Sequence, residues 1–297
     1  MDRRRDQMSP EQLPDRHLHP HYRRHTHLKA RNKLYLRGKD PCEPNPLDEV
    51  ITGLTSTLLS HSFVQEFVGD PLDGVTLLLE LLRAVQLSQA AQQARCPPPL
   101  LRRVLLDEHS CLQCLKSCLR CPDAARRLSS SPAGLFTLAV CIMSNVSKSR
   151  VVALEVRTCD LLTRACEPPG CGHTPVSEAL STLRLRFGEP VRFRFLVGML
   201  ISAGGCPELQ AAGLRFLNTF LDTAPSQQHR LYLQAELEQA GFTTAAIRKK
   251  CVESSRITHD GYPSLEAGEA KQQLAEFHNV WRSSCLTTPH RLTGGYG

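Results

Sequence analysis

An all-α chain assembled from repeating helical units is predicted by three observations. Apolar residues recur at the three-to-four spacing of a buried helix face, and no stretch sustains the alternation of a strand. Breakers such as PCEPNP, CPPP, EPPGCGHTP, GEP, GGCP and TAP cut the chain into helices of roughly 8 to 18 residues. Three apolar segments open on a small residue at regular distances: CLKSCLRC at Cys114, CDLLTRAC at Cys159 and GLRFLNTF at Gly213. Their starts lie 45 and 54 residues apart. That suits armadillo- or HEAT-like units of about 40–47 residues, the second gap holding an insertion. Such units cannot bury their apolar faces alone, so they stack. The expected architecture is an armadillo-like right-handed helical solenoid of four to five repeats, whose default role is binding along its concave face.

Four segments are expected. Residues 1–46 read as a disordered arm, basic and rich in proline and histidine. Residues 1–40 hold 11 Lys/Arg against 5 Asp/Glu, a net +6 of the chain's +7. The body is therefore nearly neutral and carries no footprint for nucleic acid. His17, His19, His21, His25 and His27 in the arm are read as part of a solvated tail rather than as metal ligands, and a basic arm can meet an anionic membrane or an acidic partner. Residues 47–264 form the solenoid. Helical patterning runs from Leu47 to about Gln93 with a break at GDPLDG, and SSSP, Ser129 to Pro132, is a cap-and-proline helix start. Residues 265–285 form an amphipathic helix, around Leu265 to Ser284, that packs on the solenoid or pairs two chains. Residues 286–297 form a disordered tail.

The 297-residue chain contains no uncharged apolar run long enough for a membrane helix, and MDRRRDQMSPEQ lacks a secretory apolar core. A chain of the cytosol or nucleus is expected, with its 13 cysteines as thiols.

The stretch CLQCLKSCLRC, Cys111 to Cys121, spaces four cysteines C-x2-C-x3-C-x2-C. On a helix at about 100° per residue all four share one arc with Leu112, Leu115 and Leu119, while Gln113, Lys116, Ser117 and Arg120 take the opposite side. The outer cysteines would be about 15 Å apart along one axis, whereas zinc needs all its ligands within about 2.3 Å of one ion. Core packing is the expected role. Cys166, Cys171 and His173 fit no standard metal template and are read as an inter-repeat loop. DEHSC sets acid, histidine and thiol together, but His109 and Cys111 point about 160° apart on a helix. Asp107 and Glu108 are read as first-turn acids. No phosphate loop, nucleophile elbow or zincin motif occurs. No catalytic residue, metal or cofactor is assigned.

Several segments together resemble diaphanous-related formins. EHSCLQCLKSCL is similar to an acidic-His start leading into the family's C-L-K helix, and SPAGLFTLAVCI to the helix that follows. CDLLTRAC falls where the family has a small-residue helix. Leu214 to Phe242 resembles an L-x-N helix followed by R-x-x-[LI]-x-x-E-[LF]-x3-G-[LF], matched by Asn218, Arg230, Leu233, Glu236, Leu237, Gly241 and Phe242. FVQEFVGDPLDGVTLLLELL resembles the opening of the same region. The order holds from about Leu47 to Phe277.

The resemblance implies a non-catalytic GTPase-binding and formin homology three region that acts in control of the actin cytoskeleton, in the cytoplasm or at the cell cortex. An active Rho-family small GTPase would meet the N-terminal arm and first repeats. A formin-type autoinhibitory helix, or a related peptide, would meet a groove around Lys116, Arg120, Arg157, Thr158, Arg164, Arg215 and Asn218. Where the family ends its C-L-K helix in Met-Asn-Asn, this chain has Leu119, Arg120 and Cys121. The family's autoinhibitory helix carries a basic cluster, so the groove's own cations would repel it. The chain ends at Gly297 without a proline-rich or formin homology two region. The expectation is that it cannot assemble actin alone, as a fragment, an isoform or a stand-alone member of the multiple-wing-hairs type. An unrelated armadillo or HEAT scaffold and a thiol-based metal or redox protein are the alternatives.

Overall fold

Proline or a capping hydroxyl marks five of the helix starts among the described residues. The computed structural model describes residues 53–92, 98–142, 152–202, 206–243 and 265–286. The N-terminal arm and residues 287–297 lie outside them. After a helical turn over residues 53–57, the helices are α1 His61–Val68, α2 Gly74–Gln92, α3 Pro98–Cys118, α4 Pro122–Ser129 and α5 Pro132–Cys141. They continue as α6 Val152–Cys166, α7 His173–Arg186, α8 Arg194–Ser202, α9 Pro207–Asp222, α10 Gln227–Gln239 and α11 Leu265–Leu286. No strand occurs among the described residues.

Pro122, Pro132 and Pro207 occupy first-turn positions of α4, α5 and α9, where the missing N–H costs nothing. Ser131 accepts the Gly134 N–H at 3.2 Å and Ser226 accepts the His229 N–H at 3.1 Å, satisfying orphan donors of α5 and α10. The SSSP start is therefore where the sequence puts it. Gly241 closes α10 at φ 93°. Its N–H donates to the Glu238 carbonyl and that of Phe242 to the Leu237 carbonyl, both at 2.9 Å. This is a Schellman closure, with buried Phe242 and Leu237 as its apolar pair.

Two boundaries differ from expectation. CLQCLKSCLRC is not one helix, because α3 stops at Cys118. Pro122 lacks the donor that would bond the Cys118 carbonyl, and its ring holds Cys121 extended at φ −92°, ψ 126°. Nor does the helix begin at DEHSC: it opens at Pro98 and Pro99, where CPPP makes its break after α2. Asp107 and Glu108 thus lie well inside α3 rather than in its first turn, and both are buried.

The helices pack as a solenoid of armadillo type. α3, α6, α9 and α11 lie side by side, each against the next, as four successive rungs. Behind them α2, α5 and α7 form a second row, with α4 between α2 and α6. α8 backs onto α9, α10 onto α9 and α11, and α1 covers α2 and α3. The three segments singled out by their spacing fall on α3, α6 and α9, and the C-terminal helix is the fourth rung. Their leading residues Cys114 and Cys159 are fully buried, and a Cβ on Gly213 would come within 2.5 Å of Leu200 on α8. Small residues at these points let neighbouring helices approach.

One continuous core runs from Leu54 to Phe277 through every rung. Phe193, Phe216, Phe220, Phe242 and Phe277 are fully buried in its second half. Truncating any of them to alanine removes roughly 3–5 kcal/mol. Among the described residues no helix is long and apolar enough to cross a membrane.

Candidate functional site

The ladder α3–α6–α9–α11 carries a chain of ion pairs from rung to rung. Lys116 Nζ on α3 lies 2.6 Å from Asp160 Oδ2 on α6. The other oxygen of Asp160 accepts from Arg215 on α9 at 3.2 Å. Arg215 reaches onward to Glu269 on α11. Beside it, the Asn218 side-chain amide donates to the Gln273 backbone and side-chain oxygens at 2.9 and 3.0 Å. The positions follow the helical repeat, since Lys116, Asp160 and Arg215 each fall one or two residues past the small residue that opens their segment.

Of the seven expected groove residues, Lys116 and Arg215 converge on one carboxylate. Arg120 is exposed in the turn after α3 and donates to the carbonyls of Ser117 and Leu59, both at 3.2 Å. Arg164 is exposed and pairs with Glu167 at 2.8 Å. Arg157 is half-buried and donates to Nε2 of His109. Burial and that guanidinium both lower the His109 pKa, so the ring stays neutral and keeps the accepting lone pair.

Two of the seven are buried, which corrects their place in a partner-facing set. Thr158 is 0% exposed, and its hydroxyl donates to the Leu154 carbonyl one turn back at 2.8 Å. Asn218 is 6% exposed and is taken up by α11. The sequence reading missed Asp160, Glu269 and Gln273, which balance or bind the basic and polar members. Each cation shows on its own helix face, whereas Asp160, one residue past the small residue that opens its segment, meets Lys116 and Arg215 only through the stacking of the rungs.

The cysteines of CLQCLKSCLRC pack in the core. Cys111, Cys114 and Cys118 are 0% exposed and Cys121 is 5% exposed. Burial pushes the Cys114 thiol up to about 11 and the Cys166 thiol up to about 12, and raises those of Cys111, Cys118, Cys141 and Cys159 as well. These groups are neutral at physiological pH, and the thiolate is the reactive and metal-binding form. No group of three or more His, Cys, Asp or Glu able to hold a metal occurs among the described residues. Cys166 is buried at the end of α6, Cys171 is exposed, and His173 turns inward onto the Phe220 ring at 4.3 Å. In the DEHSC run, burial also raises the Glu108 carboxyl pKa, with a hydrogen bond to Gln86 opposing it. His109 is committed to Arg157 and Cys111 to the core, so no nucleophile-base pair forms.

The fold and one family comparison then agree. Residues 173–259 match the Diaphanous FH3 domain. Over that segment the chain is similar to the FH3 part of diaphanous-related formins. It is 24% identical over 223 residues to human Disheveled-associated activator of morphogenesis 2, covering 72% of this chain and 19% of that protein. It therefore spans about a fifth of the length of that curated relative. Among solved structures it is similar to E. histolytica Formin1 bound to EhRho1-GTPgammaS, with a TM-score of 0.60 and 16% identity over 87% of this chain and 77% of that one. The helices α7 to α10 and the Gly241 closure fall inside the residues that match the FH3 domain.

Proposed function

We propose that this chain is a non-catalytic formin-type regulatory module. A Rho-family small GTPase in its active state meets the N-terminal arm and the first helices, and the α3–α6–α9–α11 face receives a helical peptide. Through these contacts the module acts in autoinhibitory control of actin organisation, in the cytoplasm or at the cell cortex. The observation that supports the GTPase reading most is the solved relative in fold, a formin bound to a Rho protein carrying a GTP analogue, which shares the solenoid over 87% of this chain. Exposed Leu59, Leu87 and Leu106 on the first elements supply apolar surface for such a partner. The peptide reading rests on the exposed Lys116, Arg120 and Arg164 along successive rungs, since helix-in-groove binding uses a shaped trough with polar edges.

The test is a pull-down of the full chain with Rho-family proteins loaded with GTPγS or GDP. Capture that depends on GTPγS is expected. No nucleotide-dependent capture of any family member sinks the GTPase assignment.

A further inference from the structure

Away from the ladder, the corner joining α7 to α8 reads LRLRFGEPVRFRF, Leu183 to Phe195. It holds four arginines and a single acid, Glu189. Leu185, Arg186, Phe187 and Gly188 are exposed in succession, and Pro190 and Arg194 are exposed after them. Leu185 is 71% exposed and Phe187 45%. Arg192 is engaged by Glu236 at 2.5 Å. Arg184, Arg186 and Arg194 have no carboxylate partner among the described residues.

Packing explains only part of this corner. Phe193 and Phe195 are buried and anchor it, and the Phe187 ring meets that of Phe195 edge-on at 5.9 Å. The α7 dipole accounts for Arg184 and Arg186 in its last turn. It does not account for Arg194, whose charge at the start of α8 faces the unfavourable end of a helix dipole. Nor does it account for Leu185 and Phe187 projecting into water. Three N–H groups at the tip are already satisfied: those of Phe187, Gly188 and Glu189 donate to the carbonyls of Leu183, Leu185 and Arg184. An apolar environment could therefore take the tip without stranding those donors.

We propose that the α7–α8 corner is a membrane-contact site that seats on an anionic lipid surface. Leu185 and Phe187 enter the headgroup–acyl boundary while Arg184, Arg186 and Arg194 meet lipid phosphates and carboxylates. An aliphatic and an aromatic tip ringed by guanidinium groups matches the amphipathic layering of that boundary. The surface potential of an anionic leaflet supplies the complementary charge. The net +6 of residues 1–40 gives the same chain a second cationic element that such a surface would attract.

The experiment is sedimentation of the full chain with vesicles of phosphatidylcholine alone, or with about 30% phosphatidylserine. Two double variants keep the arm in place: Leu185→Ser with Phe187→Ser, and Arg186→Gln with Arg194→Gln. Circular dichroism melts verify folding, which these exposed positions leave intact. The parent should sediment with the anionic vesicles and not the neutral ones. Each double variant should lower the partition coefficient roughly tenfold. Three outcomes overturn the proposal: no binding by the parent, as expected if the corner instead serves an acidic protein; parental binding by both variants, with the arm sufficient; or loss in the arginine variant alone, with no apolar insertion.

Discussion

Lys116 and Asp160, 44 residues apart in the chain, meet at 2.6 Å across the first two rungs of the solenoid. The same carboxylate holds Arg215 of the third rung. Asp160 is 16% exposed against 53% for Lys116, so the acid is the buried, shared partner. Asp160→Asn should lower unfolding free energy by about 1 kcal/mol in low salt, since half-exposed pairs contribute little individually. The loss should shrink at high ionic strength as screening weakens the parent's pairs. Urea denaturation at two salt concentrations measures both. A loss unchanged by salt would mean that packing of the carboxylate, not its charge, matters.

Gly241 and Gly268 should respond to alanine with opposite signs. Gly241 sits at φ 93° in the closure after α10, a conformation that an L side chain rarely adopts. Gly241→Ala should cost about 1 kcal/mol. Gly268 lies inside α11 and is exposed, with nothing within 4 Å of an added Cβ. Gly268→Ala should stabilise by up to about 1 kcal/mol through helix propensity. Shifts of the two denaturation midpoints in the same direction would contradict this account.

His173 couples the fold to pH. It is 5% exposed and stacks on Phe220, and burial, followed by nearby His229, lowers its pKa to about 4. The unfolded chain titrates near the ordinary 6.5, so between those values it binds more protons than the folded chain. The contribution of neutral His173 is complete above about pH 6.5 and is lost as pH falls toward 4. Its full loss is on the order of 2–3 kcal/mol. His173→Phe should flatten the stability–pH profile in this window. A profile as steep as the parent's would show that other groups carry it.

The repeat was legible because it depends on local rules. Small residues at Cys114, Cys159 and Gly213 mark where rungs approach, and serine–proline starts and Gly241 mark helix ends through their own backbone chemistry. The end of α3 was legible in principle too: Pro122 forbids the hydrogen bond that would carry the helix past Cys118. A wheel drawn over Cys111–Cys121 treats all eleven positions as helical and passes over that rule. The groove was less legible because its charges are settled between rungs. A helix face displaying Lys116 or Arg215 looks basic by itself. Only the stacking brings Asp160 and Glu269 opposite them and hands Asn218 to Gln273. Thr158 looks polar in sequence but satisfies its hydroxyl on its own helix.

Those pairings sharpen the expected response of the ladder face to a basic helical peptide. Asp160 already offsets part of the charge of Lys116 and Arg215, leaving Arg120 and Arg164 as the exposed cations most open to change. Arg120→Glu with Arg164→Glu reverses two charges, and the second change sets a new carboxylate beside Glu167. Binding of a labelled basic amphipathic peptide, followed by fluorescence anisotropy, should tighten about tenfold at low salt. Asp160→Asn should act in the other direction, because it frees Lys116 and leaves Arg215 with Glu269 alone, while the exposed arginines stay in place. Both effects should fade as salt approaches about 1 M, where the screening length is about 3 Å. If the double reversal leaves affinity unchanged or weakens it, the peptide does not read the charge of this face. If Asp160→Asn tightens binding, the ion-pair chain does not set that charge.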